Sequence, residues 1–308
     1  MNEFDLINTY FNWENSNNSV LGVGDDCALI PANQRLATSV DTLIAGVHFL
    51  ETTPAKDIAY KALAVNLSDL AAMGAKPYYF TLALTLPKID QTWLEEFSSA
   101  LKSCAQYYQI DLVGGDTTKG PLSITINVAG TLPTDKALLR SGAQVGDQIF
   151  ISNTLGDAAL AWWQIQQGEQ PSDTLLEQLH RPRPQIALGQ ELLNLASSCI
   201  DVSDGLEQDL SHILKHSAVG AQLDLEAIPL SAEVSNYINT SENWCVALAG
   251  GDDYELCFTA NVDQCASIEQ LGKTLGVSLT RIGVITQTPG LKYSDGFNQS
   301  CASYQHFD

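Results

Sequence analysis

The chain has 308 residues, 45% of them apolar, which is ordinary for a globular protein and long enough for two domains with real cores. Its formal charge of −21 argues against bare nucleic acid and against anionic membrane surfaces as partners. No apolar run approaches the roughly 20 residues of a membrane span, and the acidic start, Met1-Asn2-Glu3-Phe4-Asp5, lacks a signal-peptide core, so a cytoplasmic location is expected.

In chain order, the first half alternates strand and helix patterns. Strands are predicted over 36–40, 79–86, 110–113 and 123–130, and helices over 55–73 and 93–108. Pro54 suits a first helical position, and Gly74 with Pro77 marks that helix's end. A polar, Pro-containing stretch over 132–136 interrupts the pattern, giving predicted domains 1–135 and 136–308. The second half restarts with a strand over 148–152 and helices over 154–167 and 184–197. Then come a strand ending at Val202, a helix over 206–216, strands over 244–249 and 254–259, and a helix over 262–275. Mixed strands and helices in each half imply an α/β or α+β fold.

Aspartates stand at the ends of apolar runs and among glycines. The stretches are Gly22-Val23-Gly24-Asp25-Asp26, Ser39-Val40-Asp41, Ser68-Asp69-Leu70, Gly114-Gly115-Asp116-Thr117, Asp201-Val202-Ser203-Asp204-Gly205 and Gly250-Gly251-Asp252-Asp253. A turn or a helix cap explains each one singly. Together, at strand ends, they can converge in one cleft. There each pair of carboxylates 4 Å apart costs roughly 4 kcal/mol at an effective dielectric near 20. A hard cation such as Mg²⁺ relieves that repulsion, and oxygen ligands suit it. On the helix predicted over 55–73, an advance of about 100° per residue puts Lys61 and Ser68 on one stripe, read as wet, near Asp57. Asn66 and Asp69 point elsewhere, toward the side of Ala62 and Met73, where an aspartate needs a partner.

In Gly114-Gly115-Asp116-Thr117, a strand ending in two glycines lets backbone N–H groups approach a phosphate while the aspartate faces a cation. Asp201 and Ser203 share one side of an extended strand end, and Asp204 is read as the cap of the next helix. Arg140 is apt for gripping phosphate in a cation-poor chain, although a lone arginine before a turn is usually solvated. His48 stands alone after an Asp-bearing strand, and a structural role suits it as well. The Gly272-Lys273-Thr274 stretch lacks the first glycine of a phosphate-binding loop, since position 267 is Ser. The seven cysteines, odd in number and without a C-x-x-C, read as reduced and mostly buried thiols, not as a disulfide framework or a zinc site.

Taken in order over nearly the whole chain, these segments resemble the thiamine-monophosphate kinase family of the aminoimidazole-ribonucleotide-synthetase-like superfamily. The resemblance is carried by Gly24-Asp25-Asp26-Cys27-Ala28, Asp41-Thr42-Leu43 with Gly46-Val47-His48-Phe49, and the run from Lys61 to Gly74. It continues through Gly114 to Thr117, Arg140-Ser141-Gly142, Asp201 to Leu206 and Gly251 to Leu256. It implies an N-terminal α/β domain that pairs in a homodimer and a C-terminal α/β domain. It also implies transfer of the γ-phosphate of ATP onto thiamine monophosphate with several Mg²⁺ ions. Carried across, the metal ligands are Asp26, Ser39, Val40, Asp41, Asp69, Asp116, Asp201 and Asp204. Nucleotide contacts are Gly115, Asp116, Arg140 and Ser203. Thiamine monophosphate contacts are His48, Asp252 and Tyr304, and Asp69, Asp116 and Arg140 carry the chemistry. Val40 stands where the family often has Thr, which matters only if a hydroxyl, not a carbonyl, binds metal. Asp252 stands where it commonly has Glu, one methylene longer. The rivals are a superfamily relative acting on another small substrate, and a nucleotide- or cation-binding module without activity.

Overall fold

The computed structural model describes residues 3–13, 34–132, 136–294, 296–297 and 301, and the chain divides into two compact units. Unit 1 comprises Met1–Leu70 and Ala75–Asp135; unit 2 comprises Lys136–Asp308 together with Ala71–Gly74. The break in the chain thus falls inside the polar stretch, but four residues of the first half belong to the second unit.

In unit 1 the elements are α1 (Glu3–Tyr10), β1 (Leu36–Ile44), α2 (Ala55–Ala72), β2 (Lys76–Leu86), α3 (Gln91–Tyr107), β3 (Asp111–Lys119) and β4 (Ser123–Thr131). The sheet runs in the order β1-β4-β2-β3. β4 pairs antiparallel with both neighbours, while β2 and β3 pair in parallel across the α3 crossover. Period-two alternation gives the sheet two unlike faces. Leu43, Ile124, Ile126, Val128, Phe80, Leu82 and Leu84 are buried on one side. Leu36, Val40 and Ile44 are exposed on the other. The N-terminus of α3 is capped by Asp90, whose carboxylate accepts from the Trp93 amide at 3.2 Å.

The helix α2 corrects the wet-stripe expectation. Lys61 is 4% exposed and Ser68 0%, so the side read as solvated is covered. A helix apolar nearly all round is a buried one, and two polar residues at similar angles do not make it amphipathic.

Unit 2 contains β5 (Gln148–Ser152), α4 (Asp157–Gln166), α5 (Asp173–His180), α6 (Ile186–Leu192), β6 (Ser198–Asp201), α7 (Leu206–Ser217) and β7 (Gly220–Leu223). It continues with α8 (Ala232–Ser241), α9 (Cys245–Leu248), β8 (Leu256–Ala260), α10 (Cys265–Leu275), β9 (Leu279–Thr286) and β10 (Gly290–Tyr293). The sheet order is β10-β7-β9-β5-β8-β6. Both faces are covered, because alternate residues of one strand enter different cores. Ile149 and Ile151 pack with Leu206, Leu210 and Ile213 of α7. Phe150 packs with Leu188 and Leu192 of α6, Ile268 of α10 and, from the end of α2, Ala71 and Ala72. Phe150 and Phe258 stack with ring centroids 5.3 Å apart.

Two expectations for this unit are corrected. Within residues 244–249 the chain forms the short helix α9, not a strand: the Asn243 side chain accepts from the Cys245 amide at 3.1 Å, and Ala249 caps the helix with its amide donating to the Cys245 carbonyl. A brief buried apolar run fits either element by pattern alone. Cys245 and Cys301 form a disulfide across a separation of 56 residues, their Cα atoms 5.2 Å apart. That proximity is made by tertiary folding and leaves no local trace in the sequence. Cys104, Cys199 and Cys257 are free and buried, and Cys265 is free and partly buried; Cys27 lies outside the described residues.

Candidate functional site: two acidic loop clusters

The first cluster belongs to unit 1 and joins β1 to α2. Ser39 and Asp41 lie two residues apart on one face of β1, the face that meets the helix. The Ser39 hydroxyl donates to Asp69 Oδ2 at 2.5 Å. The Asp41 amide donates to Asn66 Oδ1 at 3.1 Å, and Asn66 Nδ2 returns a bond to the Ala62 carbonyl at 3.0 Å. Asn66 is fully buried, so both ends of its amide are engaged in holding strand to helix. Sequence reasoning noted its direction but gave it no role. Val40 points to the open face and is 57% exposed, leaving only its main chain on the side of the cluster.

His48 closes the loop after β1. Its Nδ1 accepts from the Ile44 amide at 3.0 Å, and its own amide donates to the Ile44 carbonyl at 3.0 Å. An Nδ1 that accepts leaves the ring proton to Nε2.

The third acidic segment of unit 1 is placed differently. Cross-strand pairing aligns Asp116 with Ala83, Ala83 with Thr125 and Thr125 with Thr42. Paired residues share a face, so Asp116 lies on the open side of the sheet, opposite Ser39 and Asp41. β1 and β3 are also the two edge strands. The adjacent glycines are unlike each other. A Cβ at Gly115 would sit 1.8 Å from the Leu82 carbonyl, so strand pairing alone demands glycine there. A Cβ at Gly114 would meet nothing within 4 Å.

The second cluster belongs to unit 2 and joins the end of β6 to the loop before β8. Asp201, at the strand end, is 5% exposed. The Asp252 amide donates to the Ser203 carbonyl and the Tyr254 amide to the Val202 carbonyl, both at 2.8 Å. Glycines permit the approach: a Cβ at Gly251 would stand 2.5 Å from the Ser203 carbonyl, and one at Gly205 would stand 2.6 Å from Ala249 Cα. Asp201, Ser203, Asp204 and Asp252 are thereby gathered from segments about fifty residues apart.

Asp204 is not the cap of α7. Gly205 occupies the cap position, and Asp204 accepts from Gln208 Nε2 at 2.9 Å. The loop is held instead by Asp209, whose Oδ2 accepts from the amides of Ser203 and Asp204 at 3.0 Å each. Burial pushes the Asp209 carboxyl up to about 7, against the pull of those amides. Asp209 was missed; an aspartate among the buried apolar positions of an otherwise amphipathic helix was the available signal.

Beside this cluster Asp252 and Tyr254 both adopt left-handed backbone, with φ of 66° and 52°. Glu255, behind them, accepts from Ser152, from Asn153 Nδ2 at 3.0 Å and from Gln185 Nε2 at 3.3 Å. Burial still pushes it up to about 8. Arg140 is exposed on the segment before β5, its carbonyl accepting from Ser217 Oγ at 3.4 Å.

Among the described residues no three His, Cys, Asp or Glu side chains stand in metal-holding proximity. Asp26 and Tyr304 lie outside the described residues. The donors of the first cluster are nonetheless all oxygens. Asp69 is oriented by a hydroxyl, an arrangement that suits a hard cation retaining several waters.

Residues 24–132 match the model of the AIR synthase related protein N-terminal domain, and residues 144–295 that of the C-terminal domain. A thiamine-monophosphate kinase of Escherichia coli (strain K12) is 48% identical over 293 residues, spanning 92% of this chain and 90% of that protein. The crystal structure of thiamine-monophosphate kinase from Stenotrophomonas maltophilia K279a has a TM-score of 0.86 at 43% identity, covering 91% of this chain and 92% of that one. AaThiL complexed with AMPPCP and TMP has a TM-score of 0.80 at 27% identity, covering 99% and 96%.

Proposed function

Because this chain belongs to the thiamine-monophosphate kinase family, we propose that it transfers the γ-phosphate of ATP to thiamine monophosphate, giving thiamine diphosphate and ADP. The observation that carries the reading is 48% identity to such a kinase across 92% of the chain. It gains support from a relative of the same fold in complex with AMPPCP and TMP.

The transfer is in-line. An oxygen of the acceptor phosphate, already ionised at neutral pH, forms a bond to the γ-phosphorus. The bond from that phosphorus to the β–γ bridging oxygen breaks, and ADP leaves with the electron pair. Little general-base help is needed, so the protein's work is positioning and charge neutralisation. Bound Mg²⁺ would offset the repulsion between the two polyanions. Asp26, Ser39, Asp41, Asp69, Asp116, Asp201 and Asp204, with the Val40 carbonyl, are the residues proposed to hold the several ions between them, not as ligands of a single one. The hydroxyl of Ser39 keeps the Asp69 carboxylate turned to one orientation. Asp116 enters the proposal through its Gly-Gly-Asp-Thr segment. Arg140 is proposed to grip the triphosphate, and Gly115 and Ser203 to add nucleotide contacts. The Nε2–H of His48, with Asp252 and Tyr304, addresses thiamine monophosphate.

No helix among the described residues is long and apolar enough to cross a membrane. The cytoplasm is proposed as its site, where ATP is available. A homodimer is also proposed, and the exposed Leu36, Val40 and Ile44 on the open sheet face support it. The decisive assay mixes the purified chain with thiamine monophosphate, ATP and Mg²⁺ and identifies the product by mass. Thiamine diphosphate with one ADP per turnover is expected. ATP and Mg²⁺ binding without product would point to an inactive binding module, and turnover of another small acceptor alone would point to a different reaction of the superfamily.

A further inference from the structure

Next to the second cluster lie two carboxylates the mechanism does not use. Asp253 Oδ1 accepts from the Gly156 amide at 2.9 Å, and Asp157 Oδ2 accepts from the Thr154 hydroxyl at 2.8 Å. The other oxygen of each, Asp253 Oδ2 and Asp157 Oδ1, is buried with no hydrogen-bond partner. The residue Asp157 is itself 5% exposed. The charges facing Asp253 are those of Asp157, Glu255 and Asp252, all of its own sign. Two neighbouring carboxyl groups, each with one buried oxygen that lacks a hydrogen-bond partner, form an expensive arrangement. One proton on one of them removes a charge and supplies the missing donor.

The position of the pair gives it a task. Asp253 stands between Asp252 and Tyr254, and these two and Gly251, at φ 68°, are all left-handed. Each of the two non-glycine residues is strained in that conformation and needs an anchor. The flanking amides are tied to Ser203 and Val202, and Asp253 is tied to the start of α4 through Gly156.

We propose that Asp253 is a positioning residue, held as the neutral acid and hydrogen-bonded to Asp157. It locks the left-handed 251–254 loop to the N-terminus of α4 and so presents Asp252 to the acceptor substrate. Burial, together with the neighbouring carboxylates, pushes the Asp253 carboxyl well above its ordinary range. The sign follows. The folded chain keeps this proton where the unfolded chain, near the usual aspartate value of about 4, has lost it. Stability from the pair is full below that value and declines as pH rises. The substrate half of the inference rests on the kinase reading above.

The test compares wild type, Asp253→Asn, Asp253→Ala and Asp157→Asn in the full chain. Asparagine at 253 can accept from Gly156 and donate to Asp157 with no proton to lose. It is expected to keep the KM for thiamine monophosphate within about threefold of wild type. Asp253→Ala is expected to raise that KM at least tenfold, with a smaller change in kcat and in the KM for ATP. If the alanine variant does not fold, the thermal midpoints decide. The midpoint of Asp253→Asn minus that of wild type should widen from pH 5.5 to 8.5, and Asp157→Asn, which removes the facing charge, should show the same trend. An asparagine variant as impaired as the alanine one, or a midpoint difference flat with pH, overturns the acid pair. Inactivity of wild type toward thiamine monophosphate would instead sink the kinase reading, and the midpoint series would still judge the pair.

Discussion

Asp69 is the residue on which the metal proposal can be tested most directly. Its carboxylate is oriented by Ser39 at 2.5 Å, so Asp69→Asn keeps size and that hydrogen bond while removing charge. Turnover is expected to fall by orders of magnitude with the circular dichroism spectrum and thermal midpoint little changed; near-normal turnover would remove Asp69 from the reaction. Gly115 makes the opposite prediction. A methyl group there meets the Leu82 carbonyl at 1.8 Å, so Gly115→Ala should destabilise unit 1 by about 3 kcal/mol by prising β3 from β2. Denaturant midpoints measure it, and Gly114→Ala, into open space, is the control. At this scale the sequence was informative about where carboxylates stand and silent about what holds them. Aspartates at strand ends could be read from pattern. Asn66, Asp209 and Asp253 work through hydrogen bonds to backbone groups, and Asp157 through one to the Thr154 hydroxyl, and chain order does not reveal those.

Among the elements, the strands and long helices of the first half were legible, because each has enough residues for its period to show. The error at 244–249 arose where four helical residues carry too little period to distinguish helix from strand. The small elements of unit 2, β7, β9, β10, α5 and α8, were unread for a related reason. Their formation depends on neighbours already being in place, and local preference alone is a weak guide. The bond between Cys245 of α9 and Cys301 belongs to the same class of long-range fact. By the chain-entropy argument, closing 56 residues in the unfolded state is worth about 4 kcal/mol. Reduction with dithiothreitol, or Cys245→Ser, is therefore expected to lower the thermal midpoint of unit 2 by about 10 °C. An unchanged midpoint would show that the bond does not form in solution.

For the whole molecule, the two-domain α/β organisation was legible, since the polar stretch over 132–136 separates two runs of regular pattern. The crossing of four residues from one half to the other was not. Nothing in the run from Ala55 to Gly74 signals that its last turn serves a different core, because alanines suit any packed helix. That last turn sets a rule for anyone dividing the gene. A fragment starting at Lys136 would be born without Ala71 and Ala72, leaving Leu188, Leu192 and Phe258 without part of their cover. Such a fragment is expected to be sticky and poorly soluble on expression, and to recover when residues 71–74 are supplied through a grafted helix. Sequence order and structural ownership part company at one helical turn, and cloning boundaries drawn from the former would cut through the latter.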